Sequence, residues 1–326
     1  MKKNIIVAGQ LSEAQRQELE PHAHLIDLGK PLNADDAEVK AALADAHGII
    51  GSGFTIDDAF LDAAPKLKAV TLFSVGYDTM DVDALSKRGV LLCNAPDVLT
   101  ETTADLAFTL IMSSARRVVE LAEWVKAGKW QKSPGPELYG SDIHGKTLGM
   151  VGLGRIGAAV ARRGALGFGM KVRYALSSPK PDLERELGAT RCELDELLAE
   201  SDFVCLTVPL TRKTEKLIGA EQLAQMKDSA LLVNISRGKV VDEAALIEAL
   251  KAGTIRGAGL DVFEQEPLPA DSPLLALPNV VALPHIGSAT SETRLAMAQR
   301  AVDNLTRFLQ GQPPISPVNA EALNQQ

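Results

Sequence analysis

The stretch KTLGMVGLGRIGAAVARRGAL, residues 146–166, decides the fold. KTLGMV is a short apolar run that reads as a buried strand, and RIGAAVARRGAL reads as a helix over 155–166. Between them stands Gly152-Leu153-Gly154-Arg155-Ile156-Gly157. A lone G-x-G-x-x-G is weak evidence. Placed between a strand and a helix, it is the phosphate cradle of a dinucleotide-binding unit. Gly152 permits the tight turn, Gly154 lets the backbone approach a pyrophosphate, and Gly157 allows close helix–strand contact. The phosphates would lie at the helix N-terminus, where free N–H groups and the helix dipole favour negative charge. Arg155 can add a direct charge.

Working outward, strand-like runs continue: KVRYAL, DFVCLTVP, ALLVNIS, GAGLDV and NVVALP. With KTLGMVG they predict six strands, enough for a full dinucleotide-binding sheet. A helix is expected over 243–252. The end of the second strand usually carries an Asp or Glu for the ribose 2′-hydroxyl of NAD. Here it reads Tyr174-Ala175-Leu176-Ser177-Ser178-Pro179-Lys180, with no acid from Lys171 to Pro181. A 2′-phosphate meets no repulsion there; Ser177 and Ser178 can donate to it, and Lys180 adds charge. The reading favours NADP(H), with NAD(H) possible because the usual NADP arginine is also missing.

The first hundred residues show the same alternation. IIVAG, GIIGS, AVTLFS and VLLCNAP read as strands, with SEAQRQELEPH and DAEVKAALADA as helices between them. Such alternation predicts a parallel sheet covered by helices. Residues 101–128 read as one long helix joining two domains. A final helix is expected over 289–309, followed by a proline-bearing tail that returns to the first domain.

The 326 residues are 46% hydrophobic and 23% charged, an ordinary globular composition. Acids outnumber bases, 42 to 34, so a phosphate backbone is a poor nonspecific partner and no nucleic acid is expected. The longest apolar stretch, 106–115, is too short to span a bilayer, so no membrane is expected. MKKNIIVAGQ lacks the h-region of a secretory signal. Cys93, Cys192 and Cys205 form no CxxC pattern; they imply no metal and fit a reducing, cytoplasmic setting.

Five histidines occur. His285 alone follows a buried-strand pattern, NVVALP, which puts it at a strand's carboxyl end, where open α/β sheets bind ligands. Arg237 follows ALLVNIS, and Glu266 follows GAGLDV. Each alone could be a surface charge. Together they suggest one cleft.

The motifs SVGYD (74–78), TADLAFTLIMSSARR, GLGRIG, VPLT, NISRG, DVFEQEP and PHIGSAT (284–290) resemble those of D-isomer-specific 2-hydroxyacid dehydrogenases over essentially the whole chain. Within that family the chain is similar to glyoxylate/hydroxypyruvate reductases and 2-ketogluconate reductases. The resemblance implies an α/β protein with two doubly wound parallel-sheet domains. A Rossmann domain, residues 100–286, would be inserted into a flavodoxin-like substrate domain, residues 1–99 and 287–326. It implies NAD(P)H-dependent reduction of a small 2-keto acid (glyoxylate, hydroxypyruvate or 2-ketogluconate) in a cytoplasmic homodimer whose contacts include residues 130–139.

By the same resemblance, Arg237 would bind the carboxylate and keto oxygen of the substrate. His285 would be the acid–base residue, and Glu266 would pair with it and favour its charged form. Backbone amides of Val75 and Gly76 would hold the carboxylate. Pro209, Thr214 and Asp261 would line the nicotinamide side. Closure of a cleft would complete the site. Phosphoglycerate dehydrogenases share these motifs, and the family's nucleotide-sensing corepressors retain the Arg/Glu/His set. Formate dehydrogenases carry Gln where this chain has Glu266.

Overall fold

The computed structural model describes residues 2–325, which fall into two compact units. The first comprises residues 1–99 and 289–326. Its five strands are β1 (Lys3–Ala8), β2 (Ala23–Asp27), β3 (Gly48–Gly51), β4 (Ala69–Leu72) and β5 (Leu91–Cys93). All pair in parallel, in the order β2-β1-β3-β4-β5. The sequence GIIG of β3 is buried throughout, as expected of a central strand covered on both faces.

The helix Ser291–Leu309 is capped by the Thr290 hydroxyl, which accepts from the Thr293 amide at 3.2 Å. It buries Ala298, Ala301, Val302 and Leu305 against Ile5, Val7 and Ile50. Fully burying each of the larger side chains is worth about 1.5–3 kcal/mol. The segment after this helix pairs with β5. The Val318 amide donates to the Leu92 carbonyl at 2.7 Å, and the Asn319 side chain accepts from the Leu92 amide at 2.7 Å.

The second unit, residues 100–288, holds β6 (Thr147–Val151), β7 (Lys171–Ala175), β8 (Thr190–Arg191), β9 (Phe203–Leu206), β10 (Leu231–Asn234), β11 (Gly257–Leu260) and β12 (Val280–Ala282). The sheet order is β12-β11-β10-β9-β6-β7-β8, all parallel. Numbered from β6, that is the doubly wound 3-2-1-4-5-6 order with a seventh strand added at the β11 edge. The order in which successive strands are added reverses between β6 and β9, and ligands bind above the carboxyl ends at such a switch point. Both sheets are thus the α/β architecture that the alternating sequence implies.

Three details differ from the sequence reading. The second sheet has seven strands, not six, because β8 is a two-residue exposed edge with no apolar run to betray it. In the first sheet β2 was likewise unread, since its partly exposed AHLID lacks an apolar stretch. The long helix is two, Thr100–Ala115 and Val118–Lys126, broken where Arg117 adopts a left-handed φ of 52°. The first buries Ala104, Ala107, Leu110 and Ile111; the second buries nothing, although its amphipathic pattern continues. The helix after the glycine motif is α-helical over Arg155–Arg162 and ends in one π-turn, Arg163–Gly167.

Candidate active site

β6 delivers the chain into the glycine motif. Gly152 sits at φ +93°, and a Cβ there would lie 2.9 Å from Val208 Cγ1. A Cβ on Gly157 would lie 2.7 Å from the Gly152 carbonyl oxygen. Both glycines are needed by the chain's own packing. At Gly154 a Cβ would meet nothing within 4 Å, so open space lies before this backbone. That is the clearance a pyrophosphate requires, and the residues present fit a nicotinamide dinucleotide. Arg155 and Ile156 begin the helix that follows, Arg155 exposed and Ile156 turned partly into the core.

Ser177 and Ser178 follow β7, the neighbour of β6, beyond an exposed Leu176 with φ 53°. After β9, the Thr214 hydroxyl donates to the Pro209 carbonyl at 2.6 Å and accepts from the Thr211 amide at 2.8 Å. Thr214 therefore shapes the loop that carries Pro209.

Arg237, Glu266 and His285 leave the carboxyl ends of β10, β11 and β12, three adjacent strands. The turn before Arg237 is built by buried Asn234. Its amide donates to the Arg237 carbonyl at 2.9 Å, and its oxygen accepts from the Ser236 amide and hydroxyl. Gly238 is pressed onto the next loop: a Cβ there would fall 1.8 Å from the Phe263 carbonyl carbon. That contact joins the Arg237 turn to the Glu266 loop. The guanidinium of half-buried Arg237 also donates to the Ser236 carbonyl at 2.8 Å.

Glu266 uses both oxygens. Oε1 accepts from the Phe263 amide at 2.9 Å, and Oε2 lies 2.7 Å from His285 Nδ1. An ionised carboxylate only accepts, so Nδ1 carries a hydrogen and Nε2 is the ring atom left for chemistry. His285 holds a left-handed φ of 54°, unusual outside glycine. Asp261 secures that turn, its two oxygens taking the Ile286 amide at 2.7 Å and the Gly287 amide at 2.8 Å. Burial pushes the Asp261 carboxyl upward from its ordinary value, against the pull of those amides. Beyond the cofactor-facing place expected from the sequence, Asp261 holds the His285 loop. The sequence alone assigns Asn234 and Gly238 no role; a buried polar residue closing an apolar strand is the available signal.

Val75 and Gly76 lie in the other unit, in the loop after β4. The Ser74, Val75 and Gly76 carbonyls accept from the Ala95 amide, the Asn94 side chain and the Ser74 hydroxyl. Among the described residues, nothing accepts from the Val75 and Gly76 amides. Burial raises the Cys93 and Cys205 thiols to about 12, so neither is a thiolate near neutral pH. Among the described residues no cluster of His, Cys, Asp or Glu could hold a metal, and no helix is long and apolar enough to cross a membrane.

A doubly wound unit with an open glycine cradle and an Arg, a Glu and a His on one strand-end edge defines a nicotinamide-dependent dehydrogenase. Residues 108–287 match the model of the D-isomer specific 2-hydroxyacid dehydrogenase NAD-binding domain, and the chain belongs to that family. It is 55% identical over 326 residues to the glyoxylate/hydroxypyruvate reductase B of Yersinia enterocolitica, covering all of both chains. The protein of the same name from Serratia proteamaculans is 54% identical, with 99% of each chain covered. Among solved structures, an NADPH-dependent glyoxylate/hydroxypyruvate reductase from Sinorhizobium meliloti, in complex with NADP and malonate, superposes with a TM-score of 0.87. It is 35% identical, with 99% of this chain and 98% of that one covered.

Proposed function

We propose that this protein reduces glyoxylate and hydroxypyruvate to their 2-hydroxy acids, with NADPH as the preferred reductant. The observation that carries the reading is the 2.7 Å contact between His285 Nδ1 and Glu266 Oε2 on the strand-end edge that also bears Arg237. Full-length similarity to enzymes named for this reaction supports the choice of substrate.

A bound reduced nicotinamide supplies the hydride. The chain's own residues do the rest. Arg237 offers a planar fork to a carboxylate and the adjacent keto oxygen, which suits a 2-keto acid. The Val75 and Gly76 amides are further donors for the carboxylate. His285 gives a proton from Nε2 to the keto oxygen as negative charge develops there. Glu266 holds the ring through Nδ1 and leaves Nε2 to face the substrate. In oxidation of the 2-hydroxy acid the same nitrogen accepts the proton. Gly152, Gly154, Arg155, Ile156 and Gly157 cradle the cofactor's phosphates. Pro209, Thr214 and Asp261 shape the nicotinamide side, and Ser177 and Ser178 face the adenosine ribose.

The preference for NADPH rests on the absence of any acid over 171–181. A working homodimer is part of the proposal, supported by exposed Val118, Val119, Val125, Trp130 and Tyr139 in the second unit. The test is a panel of 2-keto acids, glyoxylate, hydroxypyruvate and 2-ketogluconate among them, each assayed with NADPH and with NADH. Turnover of the first two with NADPH is expected. No turnover with any of them would overturn the reading.

A further inference from the structure

Arginines on the β7–β8 side of the second unit are nearly all matched by acids. Arg162 pairs with Glu186, Arg163 with Glu101 and Asp105, Arg173 with Glu196 and Glu200, and Arg185 with Asp182. Arg191 differs. It lies on β8 directly opposite Tyr174 of β7 and is exposed. Its Nε donates to the Ser177 carbonyl at 3.1 Å, and among the described residues it forms no ion pair. One edge of the guanidinium is thus anchored to the loop after β7, while among the described residues its two Nη groups bond to nothing.

That loop is itself fixed. The hydroxyl of fully buried Tyr174 donates to the Glu184 carboxylate and accepts from the Lys180 amide at 3.0 Å. The nearest acid in sequence beyond the loop's end, apart from Asp182 (bound to Arg185), is therefore engaged below it. Ser177 and Ser178 stand beside an anchored cation that no carboxylate neutralises. In a doubly wound fold, the residues after the second strand meet the 2′ position of the adenosine ribose.

We propose that Arg191 is the cation that recognises the 2′-phosphate of NADPH, reaching the loop from the neighbouring strand. This rests on the reading that the chain uses NADPH. The arginine usually sought just after the second strand is absent because its charge is delivered from β8, fourteen residues downstream of Ser177. A guanidinium presents two parallel donors to a phosphate and none of comparable use to a 2′-hydroxyl, so its effect falls on one cofactor only.

The experiment compares the purified wild type with Arg191→Gln and Arg191→Lys. Kinetic constants are taken for NADPH and NADH at saturating keto acid, and calorimetry gives affinities for 2′,5′-ADP and 5′-AMP. Arg191→Gln should raise the NADPH KM and weaken 2′,5′-ADP by about tenfold or more, a charge-assisted contact of ordinary strength. NADH constants, 5′-AMP affinity and kcat at saturating NADPH should stay within about twofold. Arg191→Lys should fall between. Equal losses for both cofactors, or an unchanged 2′,5′-ADP affinity, would overturn the assignment. A wild type that binds 2′,5′-ADP no better than 5′-AMP would instead overturn the NADPH reading and this assignment with it. Wild-type preference retained in Arg191→Gln would sink the assignment alone.

Discussion

Replacing Glu266 with glutamine keeps the side chain's size and changes what it can give and take. The carboxylate now accepts at both oxygens, from Phe263 N–H at 2.9 Å and from His285 Nδ1 at 2.7 Å. A glutamine has one oxygen and one NH2 for those two places. If its oxygen keeps the Phe263 amide, its NH2 faces Nδ1, which must then be unprotonated. The ring is held as the neutral Nε2–H tautomer, and the imidazolium meets donor against donor. If the amide flips, the clash moves to Phe263 and leaves a backbone donor unpaired, at about 1–3 kcal/mol. The first arrangement denies the ring its Nδ1 hydrogen, and the second keeps that hydrogen only at the cost of the Phe263 amide. The pair itself is half exposed, the His285 side chain at 49% and Glu266 at 35%, so its direct contribution to folding is small, about 0–1 kcal/mol. The consequences therefore separate. Glu266→Gln should melt within a few degrees of wild type, yet lose about 10²–10⁴ in kcat/KM for hydroxypyruvate reduction, the range of acid–base catalysis. The assay is the initial rate of NADPH consumption, with single-turnover mixing to establish that chemistry limits the rate. A folded variant within about threefold of wild type would refute the proposed role of Glu266, since the expected loss is far larger.

Arg237→Lys should keep cofactor affinity and cost about 2–4 kcal/mol of transition-state binding in kcat/KM, because a point charge cannot reproduce the fork; near-normal kcat/KM would remove Arg237 from its role. Leu176→Asp or Ser177→Asp should shift the kcat/KM ratio toward NADH by placing an acid where a 2′-phosphate would lie, and a wild type strongly favouring NADH would contradict that reading. Asp202 tests the fold. Burial alone would raise its carboxyl, but the Thr147 amide and the Lys227 ammonium hold it below its ordinary value. The stability it adds is present above the unfolded carboxylate's pKa and is lost as pH falls through the lower, folded one. Asp202→Asn should therefore cost about 1–2 kcal/mol near neutral pH, with the melting-temperature gap closing in acid; a gap constant with pH would refute the argument.

The architecture was legible because both sheets are parallel and buried, so β3, β4, β9 and β10 announce themselves as apolar runs. β2 and β8 were not, because a partly exposed edge strand carries no such run. The break at Arg117 has no signal in the sequence because the amphipathic pattern continues past it; a single left-handed residue, tied to Glu120 and the Glu137 carbonyl, turns the chain. His285, Glu266 and Arg237 were readable as polar residues following apolar strands. Arg191 was not, since it belongs to the unread strand β8 and meets Ser177 only through pairing across the sheet. The double hold of Asp261 on Ile286 and Gly287 was equally invisible, because it depends on the neighbouring strand's register.

His285 is the residue on which the account turns, and its replacement is the most direct measurement. Wild type and His285→Ala should be compared for NADPH consumption on glyoxylate and hydroxypyruvate, with NADP affinity measured separately by calorimetry. The wild type should turn over both acids. His285→Ala should bind NADP unchanged, with a rate lower by about 10²–10⁴. A wild type that turns over neither acid, or a His285→Ala variant that matches it, would contradict the account.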